Sequence, residues 1–234
     1  MQQLIFILVN PGREENIGAS ARAMNTMGIT NLYLVSPQAN HLGKRALATA
    51  HGSQDILKNA LIFDSFTQAI EGADLVIGSA AKKRSVAQAY HPIDDLATII
   101  LAKGDTVSKV AIVFGSEESG LTNEHLSQCH LLTTIPMQRM YPSLNLAQSV
   151  MVYAHHLSKL TLVKHKNHKL DVREAELSVV RNKAKQVLED VGIDPEQLVY
   201  PRIMERLLML EKDDINLFHT FCKYYLKKYH NRLK

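Results

Sequence analysis

Four stretches of this chain set small, polar and charged residues at spacings that could do chemistry. The first is NPGREENIGASARAMNTMG, 10–28. Asn16 and the small residues after it mark a helix start, where free backbone N–H groups attract anions. Arg22 lies in the second turn; the plainer reading is a capped helix with a surface arginine. The second, GSAAKKRS at 78–85, places Ser79, Ala80 and Ala81 before Lys82, Lys83 and Arg84. Small residues let a flat group pack on the backbone, and the three cations suit phosphates; otherwise it is a basic turn. In the third, FGSEESGL at 114–121, Gly115 and Gly120 bracket Glu117 and Glu118. Gly115 permits close approach and Gly120 a positive φ. No Gly-Lys-Ser/Thr follows, so this is not a phosphate loop, and paired acids favour a neutral or cationic ligand. The fourth, IPMQRMYPSLNLAQS at 135–149, is stiffened by Pro136 and Pro142. Ser143 or Asn145 there is either a helix cap or part of a ligand loop.

These stretches need elements to hold them. Leu4–Val9 is a continuous apolar run, as a strand buried on both faces requires. Asn16 is placed to cap a helix through about Met27, with Gly28 at its C′ position. Further strands are expected at Leu32–Val35, Asp74–Gly78, Lys109–Phe114 and Leu131–Ile135, with a short one at Leu61–Phe63. Helical spacing covers Ala46–Ala50, Ser65–Ile70, Pro92–Ala102, Asn123–Leu126 and a long helix from Leu144 to about Leu160. Strand–helix alternation predicts a parallel α/β sheet, and ligands bind beyond the carboxyl ends of such strands. The four stretches all follow strands. Near residue 160 the pattern changes to a basic run, VKHKNHK, and three amphipathic helices at Arg173–Val191, Arg202–Glu211 and Ile215–His230. Two domains are expected, 1–160 and 161–234.

The bulk numbers bound the partners. The chain has 234 residues, 46% hydrophobic and 21% charged, an ordinary globular composition. Twelve basic and twelve acidic residues precede Leu160; fifteen and eleven follow, so the net charge of +4 resides in the last third. After Asp214 there is no acid, while Lys223, Lys227, Lys228, Arg232 and Lys234 follow, which suits a polyanion or a solvated tail. Cys129 and Cys222 fit neither a disulfide framework nor a zinc-ligand spacing, so no metal is expected. The start, MQQLIFILVN, lacks a basic leader segment, and no apolar run is long enough to span a membrane. The expectation is a cytoplasmic protein.

Taken in order, NIGASARAMNTMG, FGSEESGL and IPM…YPSLNLAQSV resemble the three motifs of the TrmH family. That family is the RNA 2′-O-ribose methyltransferase branch of the knotted SPOUT superfamily. The similarity is greatest to its TrmJ subgroup, which acts on tRNA at anticodon-loop position 32. It covers roughly residues 2–160, and RIMERLLML in the tail is weakly similar to the TrmJ extension. The resemblance implies an α/β fold with a parallel sheet and a deep C-terminal trefoil knot, plus a small C-terminal helical domain. It implies S-adenosylmethionine as cofactor, held by Ser79, Ala80, Ala81, Gly115, Ile135, Pro142, Ser143 and Leu144. It implies Arg22 as the catalytic residue, acting as a base; because a guanidinium holds its proton, clamping a phosphate or stabilising an alkoxide is the better physical reading, with Ser143 to orient it and Asn16 to shape the substrate side. RNA, tRNA above all, would meet Arg22, Lys82, Lys83, Arg84, Lys223, Lys227 and Lys228, and a homodimer would form through the knot helices. Many family members carry Arg where Ser116 stands, which leaves ribosomal RNA as an alternative substrate and a non-catalytic RNA-binding paralogue as an alternative role.

Overall fold

A computed structural model describes residues 2–81, 88–139, 141, 143–162 and 177–230. These residues divide into two compact units, one of residues 1–97 with 109–164, the other of 98–108 with 165–234.

The first unit is built on a seven-stranded sheet. Its strands are β1 (Gln3–Val9), β2 (Asn31–Val35), β3 (Leu61–Phe63), β4 (Leu75–Ser79), β5 (Tyr90–Pro92), β6 (Lys109–Phe114) and β7 (Leu131–Thr134). All paired neighbours run parallel, in the order β3-β2-β1-β6-β4-β7-β5. Six of the seven β1 residues and five of the six β6 residues are buried, as expected where helices cover both faces. Ile5, Ile7, Ala111, Val113, Val76 and Leu132 form one side of the core. The helices are α1 (Glu14–Thr26), α2 (Lys44–Thr49), α3 (Gln54–Lys58), α4 (Phe66–Ile70), α5 (Ile93–Leu101), α6 (Asn123–Gln128) and α7 (Leu146–Leu162). Helix α1 packs against α2 and α7. The α1–α2 approach depends on Gly18, where a Cβ would run into the backbone of Ala46.

The second unit holds α8 (Leu177–Asp190), α9 (Val199–Leu208) and α10 (Lys212–His230). Its core is Leu177, Val180, Ala184 and Leu188 of α8 with Leu207, Leu208, Ile215 and Cys222. It also takes in Thr98–Ser108, the end of α5 and a 3-10 turn at Gly104–Thr106. Lys103 in that segment is fully buried, and its ammonium donates to the Leu210 carbonyl at 3.0 Å. Burial lowers its pKa to about 8.

Two sequence expectations are corrected at the termini of α1 and α7. Helix α1 begins at Glu14, not after Asn16, and Arg13 is its N-cap without a side-chain bond. Glu14 and Glu15 supply the negative charge that a first turn favours, while the Asn16 amide is drawn away to a distant carboxylate. Helix α7 begins two residues later than expected, because Asn145 is its cap: its Oδ1 accepts from Ala147 N at 2.8 Å. The end of α1 matches expectation, with Gly28 at φ +74 and Ile29 N–H reaching back to Met24 O. Strand β5 had no sequence signal, being three residues long and closed by proline.

Candidate active site

Strands β6, β4 and β7 are neighbours in the sheet, so the loops that leave their carboxyl ends converge. Between them lies a cavity of about 700 Å³. It is lined by Ser79, Ala80 and Ala81 after β4, by 114–121 after β6, and by Ser143, Leu144, Leu146 and Ser149 at the start of α7. A smaller apolar annex of about 40 Å³ shares Ser79, Ala80, Ala81 and Leu144 and adds Ile135, Met137 and Tyr153. Buried Phe114 supports the cavity from below and stacks edge-on with Tyr153 at 5.2 Å. The Tyr153 hydroxyl lies 2.8 Å from Thr133 Oγ1; burial pushes its pKa up, so it stays a neutral hydrogen-bonding group.

The 114–121 loop is folded tightly on itself. Ser116 bridges to Gly120, whose N–H donates to Ser116 O at 2.9 Å, and the Ser116 and Ser119 hydroxyls lie 2.9 Å apart. Gly115 is obligatory here, since a Cβ would collide with the backbone of Gly120 and Leu121. Ser116 spends its hydroxyl inside the loop.

A chain of hydrogen bonds ties three of the four stretches together. Glu117 Oε2 accepts from Gly12 N at 2.9 Å, and Glu117 Oε1 accepts from Asn16 Nδ2 at 2.7 Å. Asn16 Oδ1 accepts in turn from Asn145 Nδ2 at 2.9 Å. Partial burial disfavours the Glu117 carboxylate, but the bonds from Asn16 and from the Gly12 and Arg13 backbone outweigh it, so its pKa falls below the ordinary value. Asn145 is thus both cap and connector.

The cavity can hold an elongated ligand of drug-like size. One end is apolar, the rim offers hydroxyls and backbone, and two carboxylates, Glu117 and Glu118, line it, with no cation among the described lining residues. That favours a positive or neutral guest over a phosphate. Asn16 lies outside this cavity, on a second, more open one of about 1000 Å³. Gln38, Asn40, Lys44 and Arg45 line that one too, and Arg45 is paired with Glu15 at 3.1 Å. The Asn16–Glu117 bond is the wall between the two.

The structure therefore gathers Ser79, Ala80, Ala81, Gly115, Ser143 and Leu144 around the larger cavity, and Ile135 around the annex that shares four of them. It does not bring Arg22 there: Arg22 is exposed on α1 and lines neither cavity. Lys223, Lys227 and Lys228 are exposed on α10, in the second unit. Pro142, Lys82, Lys83 and Arg84 lie outside the described residues. Sequence reasoning missed Ser149 and Met137 as lining residues, and missed the Asn16–Asn145 bond, which joins positions 129 apart. No local pattern signals such a pairing. Among the described residues no cluster of His, Cys, Asp or Glu could hold a metal ion, and no helix is long and apolar enough to cross a membrane.

Comparison with known proteins points the same way as this geometry. Residues 3–155 match the model of the SpoU rRNA Methylase family, and residues 174–229 match that of the tRNA/rRNA methyltransferase LasT C-terminal domain. The chain is 36% identical to an uncharacterized tRNA/rRNA methyltransferase, LasT, of Escherichia coli (strain K12), over 93% of this chain and 94% of the relative. It is 38% identical to the tRNA (cytidine/uridine-2′-O-)-methyltransferase TrmJ of Photorhabdus laumondii, over 67% of this chain and 64% of that one. The solved structure of a probable methylase family protein from Haemophilus influenzae Rd KW20 covers 100% of the chain and 99% of its own, with TM-score 0.65 and 30% identity.

Proposed function

This chain belongs to the SpoU rRNA Methylase family, and we propose that it is an S-adenosylmethionine-dependent RNA 2′-O-ribose methyltransferase acting on tRNA. The observation that carries the reading is the cavity at the ends of β6, β4 and β7. Its volume, apolar annex, close backbone approach at Gly115 and acid-lined wall fit an adenosyl group joined to a sulfonium. Ser79, Ala80, Ala81, Gly115, Ile135, Ser143 and Leu144 would hold it, with Pro142 completing the turn. When bound, this cofactor supplies an electrophilic methyl group.

The chain's own residues must then align a ribose hydroxyl, a poor nucleophile. Arg22 is not its base, since a guanidinium does not give up its proton near neutral pH. It stabilises the developing alkoxide or clamps an adjacent phosphate, Ser143 orients the reacting groups, and Asn16 shapes the substrate side. Because Arg22 does not line the cavity of its own chain, we place the active enzyme as a homodimer through the knot helices, in which the partner's Arg22 completes each site. The 135–149 segment would be the threaded loop of a trefoil knot.

Relatives named as tRNA (cytidine/uridine-2′-O-)-methyltransferases favour tRNA, and nucleotide 32 of the anticodon loop is the target that the family resemblance implies. Ribosomal RNA is the second reading, favoured by the name of the family model. A purely binding role is disfavoured by the intact Glu117–Asn16–Asn145 chain. Calorimetric titration with S-adenosylmethionine tests the cofactor site. Micromolar binding, about −8 kcal/mol, is expected for the native protein and not for Gly115→Val, in which the loop has no room for a side chain. Equal binding by both would exclude this cavity.

A further inference from the structure

Helix α10 carries an exposed stripe whose residues do not line the candidate cofactor cavity. Leu217, Phe221, Tyr224 and Lys228 recur at intervals of four, three and four, which sets them on one face. That face is open: Leu217 is 70%, Phe221 55% and Tyr224 69% exposed. On the opposite face Ile215 and Cys222 are fully buried. The aromatic rings form a continuous run, with centroids 6.0 Å apart from Phe218 to Phe221, 6.3 Å from Phe221 to Tyr225 and 4.6 Å from Tyr225 to Tyr229. Lys228 Nζ sits 5.6 Å from the Tyr229 ring.

So much exposed aromatic surface marks a contact site. Charge decides between occupants. The acids of this helix, Asp213 and Asp214, are confined to its first turn, and none follows in the sequence, whereas Lys223, Lys227 and Lys228 are all exposed. A two-fold contact with a second copy would set these lysines against themselves. A polyanion would neutralise them. Bare ring faces beside lysines are what unpaired nucleotides use, bases stacking on rings and phosphates meeting cations. In a duplex the base faces are already covered.

We propose that α10 is a stacking platform for unpaired nucleotides of the RNA substrate. This rests on the RNA methyltransferase reading, which basic charge alone does not specify to single strands. The test is fluorescence anisotropy of the full chain with a labelled oligouridylate and with an RNA duplex of equal length, each over a range of salt. F221A/Y224A is expected to weaken oligouridylate binding by roughly 10-fold or more, leaving duplex binding and the salt slope unchanged. F221Y/Y224F retains affinity, and K227A/K228A makes the slope shallower by about 0.7 per cation. Unchanged oligouridylate affinity in F221A/Y224A, equal loss on duplex, or no oligouridylate binding by the native protein would overturn the proposal. So would a fall from dimer to monomer mass in F221A/Y224A, which would assign the stripe to a second copy. Titration of the same proteins with S-adenosylmethionine separates the two readings, because the stripe variant should bind the cofactor as the native chain does.

Discussion

Glu117 is the residue on which the site's geometry turns. Its two oxygens hold the β1–α1 loop and Asn16, and through Asn16 the cap of α7. Removing one partner of such a bond leaves the other partly buried and unsatisfied, so Glu117→Gln should cost about 1–3 kcal/mol, read as the shift in denaturant midpoint at pH 7. The pH dependence has a definite sign. A carboxylate whose folded pKa lies below its ordinary value of 4.5 stabilises the fold above that value and ceases to do so as pH falls through the lowered one. The gap between the native protein and Glu117→Gln should therefore narrow as pH falls below 4.5; a constant gap would mean that the charge is not what matters. Arg22 is a different kind of residue, its side chain exposed on α1. Arg22→Ala should keep the melting curve and lose methyl transfer by on the order of 100-fold or more, measured with labelled cofactor. Near-normal turnover would remove it from the mechanism. Cys129 plays no chemical part: burial raises its thiol pKa to about 12, so it should resist thiol reagents until the protein unfolds.

At the scale of elements, six of the seven strands and most helices between them were legible, while β5 and the side-chain bonds that join distant loops were not. Leu4–Val9 and Lys109–Phe114 announce themselves because strands covered on both faces must be apolar throughout. Once the sheet is parallel, the site's location follows, since loops at the carboxyl ends of adjacent strands meet. The start of α1 misled because Asn is a good cap, and only the fold brings Glu117 to compete for its amide. For the same reason Asn145 reads as a cap and nothing more until Asn16 lies beside it. The inclusion of Thr98–Ser108 with the C-terminal helices was not legible at all, since it depends on Lys103 finding Leu210, 107 residues on. That buried ammonium gives a test. Its folded pKa of about 8 lies below the ordinary 10.5, so the unfolded chain binds more protons between those values and stability should rise with pH across that window. Lys103→Met should abolish the rise, seen in thermal melts between pH 7.5 and about 10.5; an unaltered rise would assign it to another group.

At the scale of the molecule, a catalytic sheet is joined to a basic helical unit, and the charge is divided accordingly. The first 159 residues are balanced, and the excess lies in the tail that ends in α10. We propose that the active enzyme is a homodimer, because Arg22 is not among the described residues that line the cavity of its own chain. Mixing inactive Arg22→Ala and Gly115→Val chains should therefore restore some transfer, since one site of a mixed dimer combines a sound cavity with an intact partner arginine. No recovery from mixed dimers would place Arg22 in its own chain's site. The central claim is tested most directly by incubating the protein with methyl-labelled S-adenosylmethionine and separate pools of transfer and ribosomal RNA, then digesting each to nucleosides. Label is expected in 2′-O-methylated nucleosides of tRNA. Label on a base, or none in either pool from a protein that binds the cofactor, would contradict it.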